Sequence, residues 1–417
     1  MPQTVSSKTV APVRILYAAG PGNVVGTFRH WRDGVDDPSQ VSITFSGQFF
    51  DVCRSEGAQA LVVSFQGNKD SMAEGGIQVR HVPKLFRNSG GLLYHVGEIL
   101  NGLRLVWETF RFRADYLVIA EGSTHWFVLY LLPRRRCRIV PTLHCTLWLP
   151  RDKPGFIHRV LNKGFFSGHA YAILSQSRDI TVQVLELTGG KTVPILEFLP
   201  SWRRNTFQGM GEPCPAPPFR VLYAGRMERN KGVFTLLEAA KEICALPGRS
   251  IEFDLCGDGP FLAELRSAAA AAGLTGVFRC HGHCNRQTMR AMLQACHVVV
   301  VPTTTDFNEG FNMVAAEAVL AGRPVVTSRV CPAVYYLGNA VVEVPPDVPS
   351  GYVAAILKLH DFREFYEEKR RACQDYQEQF YDDSRSWATA LREILRGDFQ
   401  KNAGVSRASA DGSDSSR

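Results

Sequence analysis

No run of apolar residues in this chain is long enough to span a bilayer. Among the longest is Trp126–Leu132, against the roughly 20 residues a spanning helix needs. The first residues (MPQTVSSKTVAPVR) lack a basic start followed by an apolar core, so no secretory leader is expected. A spaced second Cys/His pair is also missing. The run Cys280-His281-Gly282-His283-Cys284 therefore predicts no metal site, because structural zinc draws a second ligand pair from elsewhere and adjacent strand residues face opposite ways. A full G-x-G-x-x-G is absent: Gly20-Pro21-Gly22-Asn23 supplies two glycines, and Val25 stands at the third position, which argues against an NAD-dependent oxidoreductase. The eleven cysteines are odd in number and lie mostly in apolar segments, which fits a reducing, cytoplasmic compartment better than a disulfide scaffold.

What is present is an ordinary globular composition over 417 residues, enough for two or three domains with their own cores. The net charge of +7 is unevenly placed. Residues 1–200 carry 22 Lys/Arg against 15 Asp/Glu, and residues 201–417 carry 25 of each. An anionic partner is implied for the first half: a phosphorylated acceptor, an anionic membrane surface or nucleic acid.

Short apolar runs alternate with helical spacings along the whole chain, the pattern of doubly wound α/β domains. Val13–Ala19 reads as a first strand entering the glycine turn at 20–23, where backbone N–H groups can face a phosphate. Further strands are expected at Ala60–Val63, Ile77–Val82, Tyr116–Ala120, Arg138–His144, Ala170–Ser175 and Val193–Phe198, and helices at Leu92–Phe110 and Gly155–Phe166. Ser201–Pro218 is rich in Pro and Gly and reads as a linker. Phe219–Ala224 (FRVLYA) then repeats the theme of the opening strand (VRILYA). The domains expected are 13–200, 219–360, a helical segment 361–396, and a polar disordered tail 397–417.

The most informative stretch is Val301–Ser328: strand, polar loop, helix, turn, strand. Glu309 and Glu317 stand eight positions apart in it, which at about 100° per residue returns to one helix face, so both acids are expected to address one ligand.

With Gly225-Arg226 and Lys231-Gly232 before it, Gly257-Asp258-Gly259-Pro260 between, and Gly322-Arg323-Pro324 after it, this stretch resembles glycosyltransferase family 4. The resemblance covers about residues 219–345, and the two acids resemble that family's E-x7-E pair. It implies a GT-B fold, two facing Rossmann-like doubly wound parallel-sheet domains with a cleft between them. The first domain would bind the acceptor and the second a nucleotide-diphosphate sugar, and helix 361–396 would return toward the first domain.

By the same resemblance, Arg226 and Lys231 bind the donor diphosphate, and Glu317 binds the ribose hydroxyls. Glu309 contacts the donor sugar, either as a double-displacement nucleophile or within an internal-return mechanism led by the leaving phosphate. The N–H groups of Gly310, Phe311, Asn312, Met313 and Val314 face the phosphate and sugar from a helix N-terminus. Asn312 stands where many family members have proline. His144 reaches the donor sugar from across the cleft, the competing reading being a structural histidine. Gly22, Gly257, Asp258, Gly259 and His283 complete the donor site. No cofactor, metal or nucleic acid is called for.

The function so implied is retaining transfer of a sugar to a carbohydrate or lipid-linked acceptor in cell-surface polysaccharide or glycoconjugate synthesis. The alternatives are a soluble enzyme making a small glycoside, or a non-catalytic nucleotide-sugar-binding protein. The basic run Arg134-Arg135-Arg136-Cys137-Arg138, with Lys153, Arg159 and Lys163, suggests peripheral docking on anionic lipid at the inner membrane face. Trp126, Phe127, Trp148, Phe156, Phe165 and Phe166 are its expected apolar anchors. A merely solvated basic face is the competing reading.

Overall fold

The computed structural model describes residues 11–86, 89–120 and 125–399. Two sheets organise the chain. The first has eight strands: β1 (Arg14–Ala18), β2 (Gln59–Ser64), β3 (Ser71–Glu74), β4 (Ile77–His81), β5 (Tyr116–Ile119), β6 (Arg138–Leu143), β7 (Ile173–Ser175) and β8 (Ile195–Glu197), in the order β3-β4-β2-β1-β5-β6-β7-β8. The second has six: β9 (Phe219–Ala224), β10 (Ile251–Cys256), β11 (Phe278–Gly282), β12 (Val298–Val301), β13 (Val325–Thr327) and β14 (Val341–Glu343), in the order β11-β10-β9-β12-β13-β14.

Every pairing is parallel except β3 with β4. That hairpin turns on Gly75 and Gly76, both at positive φ (59° and 82°), the two-residue turn whose twist matches antiparallel strands. Buried central strands such as β12 (VVVV) are apolar on both faces because helices cover both sides. In each sheet the strand order reverses beside the first strand, between β1 and β5 and between β9 and β12. Ligands in open α/β sheets bind at the carboxyl ends of the strands at such a switch.

Several elements depart from expectation. Segment 155–166 is not one α-helix but two π-helical pieces, Ile157–Asn162 and Phe165–His169. The linker 201–218 is no free tether, since Trp202 and Phe207 are buried in the second domain's core. The segment 361–396 divides. Helix Arg363–Asp375 buries Ala372 and Cys373 in the second domain, whereas helix Trp387–Arg396 buries Trp387, Leu391 and Ile394 in the first. This last helix lies on helix Phe45–Glu56, with Ala388 N–H donating to Gln48 at 3.0 Å and Arg396 paired to Glu56 at 2.7 Å. Phe399, expected in the tail, is buried against Tyr171 with ring centroids 5.4 Å apart. The lead-in over 1–10 and the tail from 400 onward lie outside the described residues.

Of the expected membrane anchors, Trp126, Trp148, Phe165 and Phe166 are core residues, packed between the first sheet and its covering segments. Phe156 is exposed. Arg138 is engaged, donating to the Tyr116 hydroxyl at 2.5 Å and lying over the Tyr171 ring. No helix among the described residues is long and apolar enough to cross a membrane.

Candidate active site

The loops after β9 and β12 meet at the switch point of the second sheet. Gly232, at φ 76°, lets the first loop press on the second: a Cβ there would stand 1.8 Å from the Pro302 carbonyl oxygen. This contact brings Lys231 to Glu309, with Nζ 2.8 Å from a carboxylate oxygen and both side chains largely buried. The same oxygen accepts from Thr303 Oγ1 and from the Asn312 amide, each at 3.2 Å. Three donors on one oxygen, one of them charged, hold the acid in place.

Phe307 lies under both cations of the site. The Lys231 ammonium is 3.6 Å and the Arg226 guanidinium 5.6 Å from its ring centre, a cation–π arrangement that positions positive charge without neutralising it. Arg226 also donates to Glu228 at 2.8 Å.

A cavity of about 720 Å³ opens over these groups, lined among others by Gly225, Arg226, Lys231, Gly257, Asp258, His283, Glu309, Asn312, Met313 and Val314. Its volume suits a nucleotide-sized ligand. A second cavity of about 400 Å³ lies on the first-domain side, lined by Gly22, His144, Gln176, Met313 and Glu317 among others. Gln40 and Met313 line both.

The two acids therefore do not share a helix face. The helix begins only at Met313, and Asn312 before it takes φ 74°, so Glu309 sits in the loop and the helical count of eight does not apply. Each acid lines its own cavity, with Met313 on the border. At φ 74° the backbone of Asn312 excludes proline, whose ring fixes φ near −65°. The departure from the family pattern thus coincides with a different backbone, in which the Asn312 amide caps the helix at Ala315 N–H (3.3 Å) and reaches Glu309.

Two other expectations shift. Phe311 is buried beside Tyr336 and Phe380, so only its backbone can face a ligand. Gly259 lines neither cavity. Its missing side chain, like that of Gly257, makes room for protein: a Cβ would meet Met227 at 2.6 Å in the first case and the Gly225 carbonyl at 1.8 Å in the second. His281, in the Cys/His run, hydrogen-bonds Asp254 at 2.8 Å, while His283 turns to the cavity.

Glu317 is buried, and burial lifts its carboxyl to about 7, only partly offset by Trp202 and by the charge of Arg286. His144 is enclosed by Phe45 and Phe198, and burial lowers its imidazole to about 4. Its Nδ1 lies 2.9 Å from Gln176 Oε1; with that nitrogen donating, Nε2 carries a lone pair. The main-chain oxygen of His144 touches Gly310 across the cleft.

Sequence reading missed Gln40, Thr303 and Phe307. The last two lie inside the recognised stretch but carry no motif. Gln40 comes from a loop strapped onto the second domain by Asp36, which pairs with Arg203 (2.8 Å) and Arg286 (3.1 Å), a contact with no local signal. Among the described residues no cluster of three or more His, Cys, Asp or Glu side chains could hold a metal.

Two parallel-sheet α/β domains facing across a cleft are the GT-B arrangement, and comparison with known proteins agrees. Residues 218–361, in the second domain, match the family model "Glycosyl transferases group 1". Among curated proteins, the D-inositol 3-phosphate glycosyltransferase of Arthrobacter sp. (strain FB24) is 32% identical over 141 residues, 33% of this chain and 32% of that protein. The D-rhamnosyltransferase WbpZ of Pseudomonas aeruginosa is 28% identical over 185 residues, 44% of each. The chain thus spans less than half the length of these curated relatives. Among solved structures, Anabaena HepE in complex with UDP and glucose aligns over 93% of this chain and 100% of that one, with TM-score 0.62 and 17% identity. Sucrose-phosphate synthase from Thermosynechococcus elongatus aligns over 93% and 100%, with TM-score 0.66 and 16% identity. At such identities these structures speak for the fold.

Proposed function

We propose that the protein is a retaining glycosyltransferase that moves a sugar from a nucleoside diphosphate sugar to a carbohydrate or lipid-linked acceptor in cell-surface polysaccharide or glycoconjugate assembly. The observation that carries this reading is the Lys231–Glu309 pair at 2.8 Å, standing with Arg226 in one cavity at the carboxyl ends of β9 and β12. In the reaction, the bond from the sugar's anomeric carbon to the diphosphate oxygen breaks, and the electron pair leaves on that oxygen. Arg226 and Lys231 meet the charge as it develops, the kind of fixed electrostatic stabilisation that is worth most in a site shielded from water. The acceptor hydroxyl oxygen bonds the anomeric carbon on the face the phosphate leaves, and its proton passes to the departing phosphate oxygen.

Glu309 acts here as a charged hydroxyl acceptor beside the anomeric carbon rather than as a nucleophile. Three donors already occupy one of its oxygens, and each lowers its nucleophilicity. Glu317, which lines the smaller cavity, receives ribose hydroxyls best in its ionised form. Neutral His144 offers a hydrogen-bond partner to the sugar. The first domain holds the acceptor. The cytoplasmic side of a membrane suits this reading, since all eleven cysteines are unpaired.

Calorimetry with UDP-, GDP- and ADP-glucose tests the proposal. UDP-glucose comes first because HepE is described with UDP and glucose. One donor should bind in the micromolar range or tighter, and Lys231→Ala should weaken it. If none of the three, nor their galactose and N-acetylglucosamine counterparts, binds at millimolar concentration, the proposal falls.

A further inference from the structure

Helix Gly91–Phe112 is packed the opposite way from an ordinary surface helix. Its carboxylates point inward: Glu98 is paired with Lys84 at 3.0 Å and Glu108 with Arg80, and both acids are less than a tenth exposed. Leu105 and Val106 are buried in the core, but most of its large apolar side chains point outward. Leu92, Val96, Leu100, Leu103, Trp107 and Phe110 are 78%, 37%, 39%, 41%, 52% and 38% exposed. At about 100° per residue these six fall within an arc of roughly 80°, and at 1.5 Å per residue they run for about 27 Å. Scattered exposed leucines are normal, but a continuous stripe marks a contact surface.

Gly97 lets the neighbouring loop press onto the helix, since a Cβ would stand 2.7 Å from the Leu85 carbonyl oxygen. Leu85 and Phe86, 63% and 44% exposed, extend the apolar surface on that flank.

Cations border the stripe at its far end. The Arg111 guanidinium lies 5.1 Å over the Trp107 ring, and that of Arg136 lies 5.3 Å over the Phe110 ring. Arg113, Arg134 and Arg135 are exposed nearby in sequence. Among the described residues none of these five arginines is in an ion pair.

We infer that this face docks on an anionic lipid bilayer, the apolar stripe of helix Gly91–Phe112 lying in the membrane plane and the unpaired arginines on lipid phosphates. An apolar stripe beside uncompensated guanidinium groups matches the two layers of a bilayer's edge, acyl chains below and phosphates above. The helix lies on the membrane rather than through it, because its opposite face holds two buried acid pairs within the domain. In its first turns His95 Nδ1 is 3.0 Å from His125 Nε2, and Ala120, just after β5, lines the 400 Å³ cavity. If the proposed transfer reaction is correct, the docked protein presents its acceptor side toward the headgroups, where a lipid-linked acceptor resides.

Flotation of the full chain with vesicles of phosphatidylcholine, with and without phosphatidylglycerol, tests the surface. Wild-type protein should float with the phosphatidylglycerol vesicles at low salt, and less so at high salt. The double variant Leu100→Glu/Trp107→Glu should bind roughly tenfold more weakly or worse, and so should Arg134→Glu/Arg135→Glu. Thermal stabilisation by the nucleotide sugar should be unchanged in both, which separates loss of docking from misfolding and from failure of the transferase reading. The inference is overturned if wild-type protein does not float, or if the Leu100→Glu/Trp107→Glu variant floats as well as wild type. It is also overturned if light scattering shows a dimer that this variant dissociates, because the face then belongs to a second copy of the chain.

Discussion

Gly310 meets the main-chain oxygen of His144 so closely that a Cβ on the glycine would lie 1.7 Å from it. The two residues belong to different domains, so this contact sets how near the sugar site can come to the acceptor side. Gly310→Ala forces the cleft open. The expected result is a fall in transfer kcat/KM of roughly a hundredfold, the cost of misplacing reacting groups by about an ångström. Nucleotide binding by the second domain should persist, and small-angle scattering with donor present should show a more extended particle. Unchanged kcat/KM would mean the cleft closes by another contact.

Lys231→Ala removes the charged donor from Glu309, which is 8% exposed, and one of the two cations from the diphosphate site. Transfer should drop by roughly a hundredfold or more. Glu309→Gln keeps the shape and loses the charge. It should retain nucleotide binding while losing turnover, which initial-rate kinetics beside calorimetry will separate.

Asn312 can be tested by its backbone and its amide independently. Asn312→Gly keeps φ 74° accessible and gives up the amide contacts to Ala315 and Glu309, so stability should fall by less than about 1 kcal/mol. Asn312→Pro cannot adopt that φ and should cost more, of order 1–3 kcal/mol. Denaturant unfolding of both variants checks the order. A Pro variant as stable as wild type would show that the loop accepts the other backbone.

Two buried groups predict opposite pH dependences. Burial raises Glu317 from its ordinary 4.5 to about 7. Below pH 4.5 both native and unfolded chains hold the proton and nothing is lost. As pH climbs toward 7 the unfolded chain ionises first, and native stability declines by up to about 3 kcal/mol. Glu317→Gln should flatten that decline in pH-dependent unfolding, and nucleotide binding by wild type should strengthen as the carboxyl ionises. Burial lowers His144 from 6.5 to about 4, so its share of stability is present above 6.5 and is lost as pH falls toward 4. An imidazole NMR titration should find it neutral at pH 5.5.

Much of the second domain is readable from local pattern. The strands at Phe219–Ala224, Ile251–Cys256 and Val325–Thr327 and the helix at Arg286–Ala295 coincide with their apolar runs and spacings, because burial on both faces of a parallel sheet leaves little choice of side chain. The strand ends carrying Arg226, Lys231 and Glu309 were readable for the same reason: a ligand loop follows each central strand. The hairpin at Gly75-Gly76 was also written locally, though unread among parallel strands.

Other features depend on contacts between distant segments. The positive φ of Asn312 split two acids that a helical count had joined. The strap around Asp36 carried Gln40 between the two cavities. Trp387 crossed into the first domain's core. Helix Gly91–Phe112 shows the division most plainly. Its spacing announces a helix with apolar residues, but those residues outnumber what one buried face can take. The sequence by itself determined that the helix forms and that too many of its side chains avoid water. Only packing against Val128 on one flank and Leu85 on the other decided that the carboxylates turn inward and the stripe from Leu92 to Phe110 faces out. Periodicity belongs to one helix, whereas the choice of face belongs to its neighbours.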